Sequence, residues 1–322
     1  MEGIALPTFT IPTYKCCSLI LTFDDIEAIL GSEKPRLVQV GIGEIESSRH
    51  LFDDLKVNWL FSPNSWPVYA SGFNPGIPAA QQSFLFDVVE KKIQFSNSTA
   101  RTSMTYPEIA GLVSRTDNPK VSIVSMPLEE VEGDDASGKG SKSKRKIARR
   151  LQAVTESMNV IQSREDLLFV VPLIGQEVPP SGILGVTGPP HRVEADRSER
   201  LRFIQFRKSE DLVTTWNEIK SMLASKSGDI FETDFPFNSA KNGYVINEHF
   251  ELEDLKTPET FNNNNHLLLS LGDESPECVL QAASHTKSYI HHLFRCDELS
   301  GPILLATVNL FQFNKLFQQY AR

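Results

Sequence analysis

Residues 229–236 read Asp229-Ile-Phe-Glu-Thr-Asp-Phe-Pro236, a short apolar run that closes on two acids and a proline. Asp229 to Phe231 has the composition of a buried strand, and an amphipathic segment with helical spacing, Leu212 to Ala224, stands before it. Runs of the same kind recur upstream at Val121 to Val124, Leu167 to Leu173 and Leu201 to Phe206. Arg145 to Ile161 supplies a second helical segment, with Ile147, Leu151 and Val154 on one face. Strands alternating with helices predict an α/β fold with a parallel sheet, and one barrel domain can absorb 322 residues. Glu232 and Asp234 then fall just after a strand, where a βα barrel keeps its active-site residues. A carboxylate pair there can do acid–base or nucleophilic work. The bland alternative is that these acids cap the next helix or sit solvated in a loop.

Outward from this stretch the pattern changes. Before Val121 it is irregular, with Pro, Gly and Asn clustered between Ser62 and Pro78, and supports no firm assignment. Glu132 to Lys146 and Gln176 to Pro190 read as surface loops that punctuate a domain more than divide it. No internal repeat is visible, which argues against a solenoid or propeller. After the polar loop Phe261 to His266, Ser288 to Phe294 and Gly301 to Tyr320 are helix-compatible. The aromatics of that last segment, Phe311, Phe313, Phe317 and Tyr320, are expected to be exposed and to need a partner surface.

Composition excludes several classes. At 40% hydrophobic and 23% charged, the chain matches ordinary globular usage and is not disordered, collagenous or coiled-coil. Lys and Arg total 32 against 41 Asp and Glu, a net charge of -9, so the whole chain does not attract polyanions. A nucleic-acid role needs a local basic patch or a more basic partner. The patch available is Lys139, Lys142, Lys144, Arg145, Lys146, Arg149 and Arg150, which reads equally as a solvated loop running into a helix. Four cysteines, Cys16, Cys17, Cys278 and Cys296, are too few for a disulfide scaffold and point to a reducing compartment. Pro7, Pro12 and Lys15 interrupt the first apolar residues, so no signal peptide is expected. The longest apolar run, Leu167 to Ile174, contains Pro172 and is far short of the roughly 20 residues that span a bilayer, so no integral membrane segment is expected.

Other constellations are weaker. Glu129-Glu130 follows a strand as Glu232 does, but Glu132, Asp134 and Asp135 continue the run and favour a solvated face. His285, His291 and His292 near Cys278 are the right residue types for zinc without the paired short spacings of a structural site. No phosphate-binding Gly-rich loop and no G-x-S-x-G elbow occurs.

The segment from His285 through Tyr289-Ile-His-His-Leu293 to Asn309-Leu310 resembles the tRNA-guanine (queuine) transglycosylase family without a gap. Gly228 to Gly243, which contains Asp229-Ile-Phe-Glu-Thr-Asp-Phe-Pro236, is similar to the family segment that carries the nucleophile. Weaker similarity runs through Met126 to Val131, Arg145 to Leu151 and Leu168 to Gly175. The resemblance implies a (β/α)8 barrel over residues 1–322, with 261–322 a helical lobe derived from the family's zinc-bearing insert. It also implies exchange of guanine for queuine, or a precursor, at the wobble position of tRNA. In that chemistry one aspartate attacks the ribose anomeric carbon, and a second acid manages protons on the bases.

Every active-site segment departs from the pattern. The nucleophile position holds Glu232, one methylene longer, and the flanking Pro-Thr-Arg has become Pro236-Phe237-Asn238. The second acid falls near Glu129 or Glu130, and the base-binding Gln-Gly-Gly has become Leu173-Ile174-Gly175. The family's Cys-x-Cys-x-x-Cys and later His fall on Glu277, Val279, Ala282 and Val308, with Cys278 one position out of register. No zinc or other cofactor is therefore expected, and Leu267 to Leu271 with Val279 are expected to replace the metal by apolar packing.

Such losses beside a retained framework resemble the non-catalytic accessory subunit of eukaryotic queuine tRNA-ribosyltransferase. That implies a heterodimer with a catalytic subunit, in the cytoplasm and peripheral at the mitochondrial outer membrane. The C-terminal aromatics would lie at the dimer interface, and Lys144, Arg145, Arg149 and Arg150 would contact tRNA phosphates. Two alternatives stay open: an active transglycosylase with Glu232 as nucleophile and Glu129 or Glu130 as acid–base, and a barrel repurposed for tRNA binding or assembly.

Overall fold

The computed structural model describes residues 6–31, 37–41, 68–71, 121–125, 168–172, 185–188, 190–193, 201–206, 211–257, 267–272 and 274–321. Its main sheet comprises β1 (Thr8–Pro12), β2 (Leu37–Gly41), β3 (Val68–Ser71), β4 (Val121–Ser125), β5 (Leu168–Pro172), β6 (Gly185–Gly188), β7 (Leu201–Gln205) and β8 (Ile230–Glu232). Neighbours in sequence pair in parallel throughout. β8 returns to β1 through Thr8↔Ile230 and Phe9↔Phe231, closing the ring. The four runs proposed as strands are all strands, and β1, β2 and β3 add three in the irregular region before Val121; β6, fully buried between β5 and β7, corrects the reading of Gln176 to Pro190 as a surface loop.

The described helices are α1 (Thr13–Ser18), α2 (Phe23–Leu30), α3 (Pro190–Val193), α4 (Leu212–Ser225), α5 (Phe235–Lys241), α6 (Glu277–Ala283), α7 (Lys287–Arg295) and α8 (Ser300–Tyr320). A hairpin of β9 (Tyr244–Ile246) and β10 (Leu252–Asp254) follows α5. All four connections from β2 to β6, with Arg145 to Ile161 among them, lie outside the described residues, as does 261–266 in the C-terminal lobe. None of the described helices is long and apolar enough to cross a membrane.

Strand side chains alternate between two faces, and in β1, β6 and β8 both are buried. Phe9 points outward, with its ring 4.9 Å from Phe313 and 5.0 Å from Phe317 of α8. Phe231 of β8 meets Phe317 in the same way at 5.0 Å. Thr8, Thr10, Ile230 and Glu232 alternate with these and face the barrel interior. Gly185 leaves room inside: a Cβ there would lie 2.9 Å from the Phe203 ring and 2.6 Å from the Leu201 carbonyl.

The helices start where local chemistry allows. Thr22 and Asp25 form a reciprocal capping box on α2. Asp211 caps α4 by accepting from the backbone N–H of Val213 and Thr214. α4 buries Leu212, Trp216, Ile219, Met222 and Leu223, a single helical stripe. Trp216 of this stripe stacks on Phe235 at 5.1 Å and donates its indole N–H to the Phe250 carbonyl at 2.9 Å. At the N-terminal end of the barrel, Arg202 Nε donates to Asp229 Oδ2 at 3.2 Å and ties β7 to the entrance of β8.

A second expectation is overturned. The aromatics of α8 are not an exposed face: Phe313 is 0% exposed against β1 and Phe317 3% exposed against β1 and β8, while Phe311 and Tyr320 are half-buried. α8 buries residues around most of its circumference, from Gly301 through Leu305 to Leu310 and on to Phe317. Its apolar character is consumed by its own barrel and by α6 and α7, which pack against it.

Candidate functional site

Parallel strands of a closed barrel all end on the same face, so the last inward residue of each strand converges with the others. Three such residues meet here. Glu232 ends β8 and is 6% exposed. Its Oε1 accepts from Thr187 Oγ1 of β6 at 3.0 Å, and its Oε2 accepts from Gln205 Nε2 at the end of β7 at 3.1 Å. Neutral donors from two neighbouring strands thus hold both oxygens of the carboxylate.

A second polar group sits beside it. Lys15, in α1 directly after β1, places Nζ 2.9 Å from Asp234 Oδ2, with side chains 8% and 20% exposed. Asn238 of α5 accepts from Lys15 Nζ at 3.3 Å and donates to Asp234 Oδ1 at 3.4 Å. Asp234 holds the N-cap position of α5 yet makes no cap hydrogen bond with its side chain, which faces Lys15 instead. The first and last strands of the barrel are therefore bridged at the mouth by an ion pair with an amide on each member.

Of the predicted site residues, Glu232, Asp234 and Asn238 come together at the mouth. Glu129, Glu130, Leu173, Ile174 and Gly175 lie outside the described residues, as do Lys144, Arg145, Arg149 and Arg150. Sequence reasoning passed over Thr187, Gln205 and Lys15. Thr187 and Gln205 had a usable signal, a polar residue at the end of an apolar run, whereas Lys15 in Thr13-Tyr-Lys-Cys-Cys17 had none.

In the C-terminal lobe, three of the four positions aligned with zinc ligands belong to one apolar cluster: Val279 and Val308 are 0% and Ala282 is 2% exposed. None of these side chains has a donor atom. Leu268 and Leu269 join the cluster, while Glu277 is exposed at the start of α6. Burial pushes the half-buried Cys278 thiol above its ordinary pKa, away from the thiolate that binds metal. The histidines separate: His285 stacks on Tyr289, His291 Nδ1 meets the Leu255 carbonyl at 2.9 Å, and His292 lies beside Cys296. Among the described residues, no three His, Cys, Asp or Glu side chains are grouped to hold a metal ion.

Residues 222–321 match the family model of queuine tRNA-ribosyltransferase. The chain is 29% identical over 147 residues to a queuine tRNA-ribosyltransferase-like protein of Plasmodium falciparum, covering 38% of this chain and 58% of that one. It is 28% identical over 130 residues to a queuine tRNA-ribosyltransferase of Methylibium petroleiphilum, covering 40% and 30%. With queuine tRNA-ribosyltransferase accessory subunit 2 of Drosophila mojavensis it shares 34% identity over 97 residues, covering 28% and 22%. The matched part thus spans about three fifths or less of each of these relatives. The model match takes in α5, the hairpin and the whole of α6, α7 and α8, together with Glu232, Asp234 and Asn238 at the mouth. Over residues 222–321, the chain is thus similar to the queuine tRNA-ribosyltransferase family.

Proposed function

We propose that this chain is a non-catalytic accessory subunit that pairs with a catalytic queuine tRNA-ribosyltransferase and supports exchange of guanine for queuine in tRNA. The observation that carries this is the state of Glu232. A carboxylate nucleophile has to approach the anomeric carbon to roughly 3 Å with a free lone pair. Here the position holds a longer side chain, 6% exposed, with one oxygen bound by Thr187 and the other by Gln205. Asn238, where the resemblance places an arginine, is engaged with Lys15 and Asp234. Relatives named as accessory subunit 2 support the same assignment.

The rest of the proposal follows from the family. The chain is one (β/α)8 domain over residues 1–322, with 261–322 as its lobe. Lys144, Arg145, Arg149 and Arg150 contact tRNA phosphate. The lobe binds no zinc, because Val279, Ala282 and Val308 fill it with apolar packing. The protein works in the cytoplasm, peripheral at the mitochondrial outer membrane.

Relatives named as ribosyltransferase without the word accessory favour a second reading, an active enzyme using Glu232. Base exchange with labelled guanine and purified tRNA separates the two. The assay compares this chain, a catalytic subunit and the mixture of both. Activity that is enhanced in the mixture, absent from this chain alone and retained in Glu232→Ala supports the accessory role. Activity of this chain alone that Glu232→Ala abolishes makes it an enzyme.

A further inference from the structure

α5 carries two of the mouth residues, Asp234 at its N-cap and Asn238 in its second turn, yet little of its own chemistry holds it in place. It has seven residues, Pro at its second position and no side-chain bond from its N-cap; Thr233 Oγ1 takes one backbone N–H, that of Phe235. A helix this short does not fix its own geometry in water.

Asn309 of α8 supplies what is missing. It is 0% exposed. Its Oδ1 accepts from the Ile246 backbone N–H at 2.8 Å, and its Nδ2 donates to the Tyr244 carbonyl at 2.9 Å, Ser239 Oγ at 3.1 Å and the Pro236 carbonyl at 3.4 Å. The chemistry of the partners sets the amide orientation: a backbone N–H only donates and a carbonyl only accepts, so a flipped amide would face like groups. Ser239 extends the link by donating to the Phe235 carbonyl at 2.7 Å. Both ends of α5, and the strand after it, are therefore pinned to one side chain of the lobe helix.

We propose that Asn309 is a positioning residue for the barrel mouth: by holding Pro236, Ser239 and Tyr244 it fixes α5, and with it the Lys15–Asp234 pair, relative to the C-terminal lobe. A displacement of α8 then loosens the mouth. This stands whether or not Glu232 is catalytically silent, because it concerns the geometry of the ion pair and not turnover.

The test measures the coupling of Lys15 with Asp234 by a double-mutant cycle (Lys15→Met, Asp234→Asn) in urea unfolding of the full chain, with and without Asn309→Ala. The coupling, expressed as a ratio of equilibrium constants, is expected to fall about threefold or more in the Asn309→Ala background. A parallel cycle on Arg202 and Asp229, an ion pair at 3.2 Å between β7 and the entrance of β8 that neither Asn309 nor its partners touch, is expected to keep its value. Ser239→Ala, a milder change that removes one partner of the amide, gives the same direction and carries the test if Asn309→Ala does not fold. An unchanged Lys15–Asp234 coupling overturns the proposal, and so does an equal loss at both pairs, which would mark general loosening.

Discussion

Shortening Glu232 to Asp retracts the carboxylate by about 1.5 Å, one carbon–carbon bond. From 3.0 and 3.1 Å, its contacts with Thr187 and Gln205 would then exceed hydrogen-bond range, while the charge stays in a site only 6% exposed. Each hydrogen bond to an ionised acceptor contributes about 1.5–3 kcal/mol, and a buried charge that loses two donors is a leading cause of large losses. Collapse of the neighbours recovers part of this, so Glu232→Asp is expected to destabilise the chain by about 3 kcal/mol. Glu232→Gln keeps the reach: its oxygen can face Gln205 Nε2 and its NH₂ the Thr187 hydroxyl, which also accepts. It loses charge assistance but also the desolvation of a charge, and is expected to cost about 1 kcal/mol. Urea denaturation at pH 7 measures both. Thr187→Val added to Glu232→Asp should cost little more, since its bond is already broken. The order of the two variants is the diagnostic. Equal stability of Glu232→Asp and wild type would refute the claim that Thr187 and Gln205 hold this carboxylate, and with it the argument that the side chain is too constrained to attack a sugar.

Other consequences are open to measurement. Lys15→Met strands Asp234 at a site where both side chains are largely buried and should cost about 2–3 kcal/mol, whereas Lys287→Met at a more exposed pair should cost under about 1 kcal/mol; equal losses in urea would contradict the ranking. Hydrogen bonds from the Thr214 side chain and then its backbone hold the Asp211 carboxyl below its ordinary 3.8. Its contribution to stability is therefore fully present above pH 3.8 and is lost as pH falls through the lower folded value, so the gap between wild type and Asp211→Ala in urea midpoint should close in acid. Metal analysis of the purified chain is expected to find no stoichiometric zinc, and EDTA to leave its thermal midpoint unmoved; one equivalent of zinc, or a drop in midpoint on chelation, would contradict the apolar packing of Val279, Ala282 and Val308 as a substitute.

Although it hid β6 in the Pro/Gly-rich stretch 176–190, the amino-acid sequence by itself determined β4, β5, β7, β8 and α4, the place of Glu232 at a strand end and the apolar residues at three of the ligand positions. These are properties of period, composition and order, which a one-dimensional string carries in full. β1 was passed over although Thr8-Phe9-Thr10-Ile11 alternates polar and apolar residues, because Pro7 and Pro12 bound a run of only four; both its faces are buried, one inside the ring and one beneath α8. Nor was the make-up of the mouth. Lys15 and Asn238 stand 223 residues apart and meet because β8 pairs with β1, a closure that nothing local to either residue encodes. The same holds for α8: its sequence says that it is apolar almost all round, but not whether Phe313 and Phe317 meet a partner or their own barrel. Hydrophobicity states that a surface will be covered, and only the closed tertiary structure decides by what.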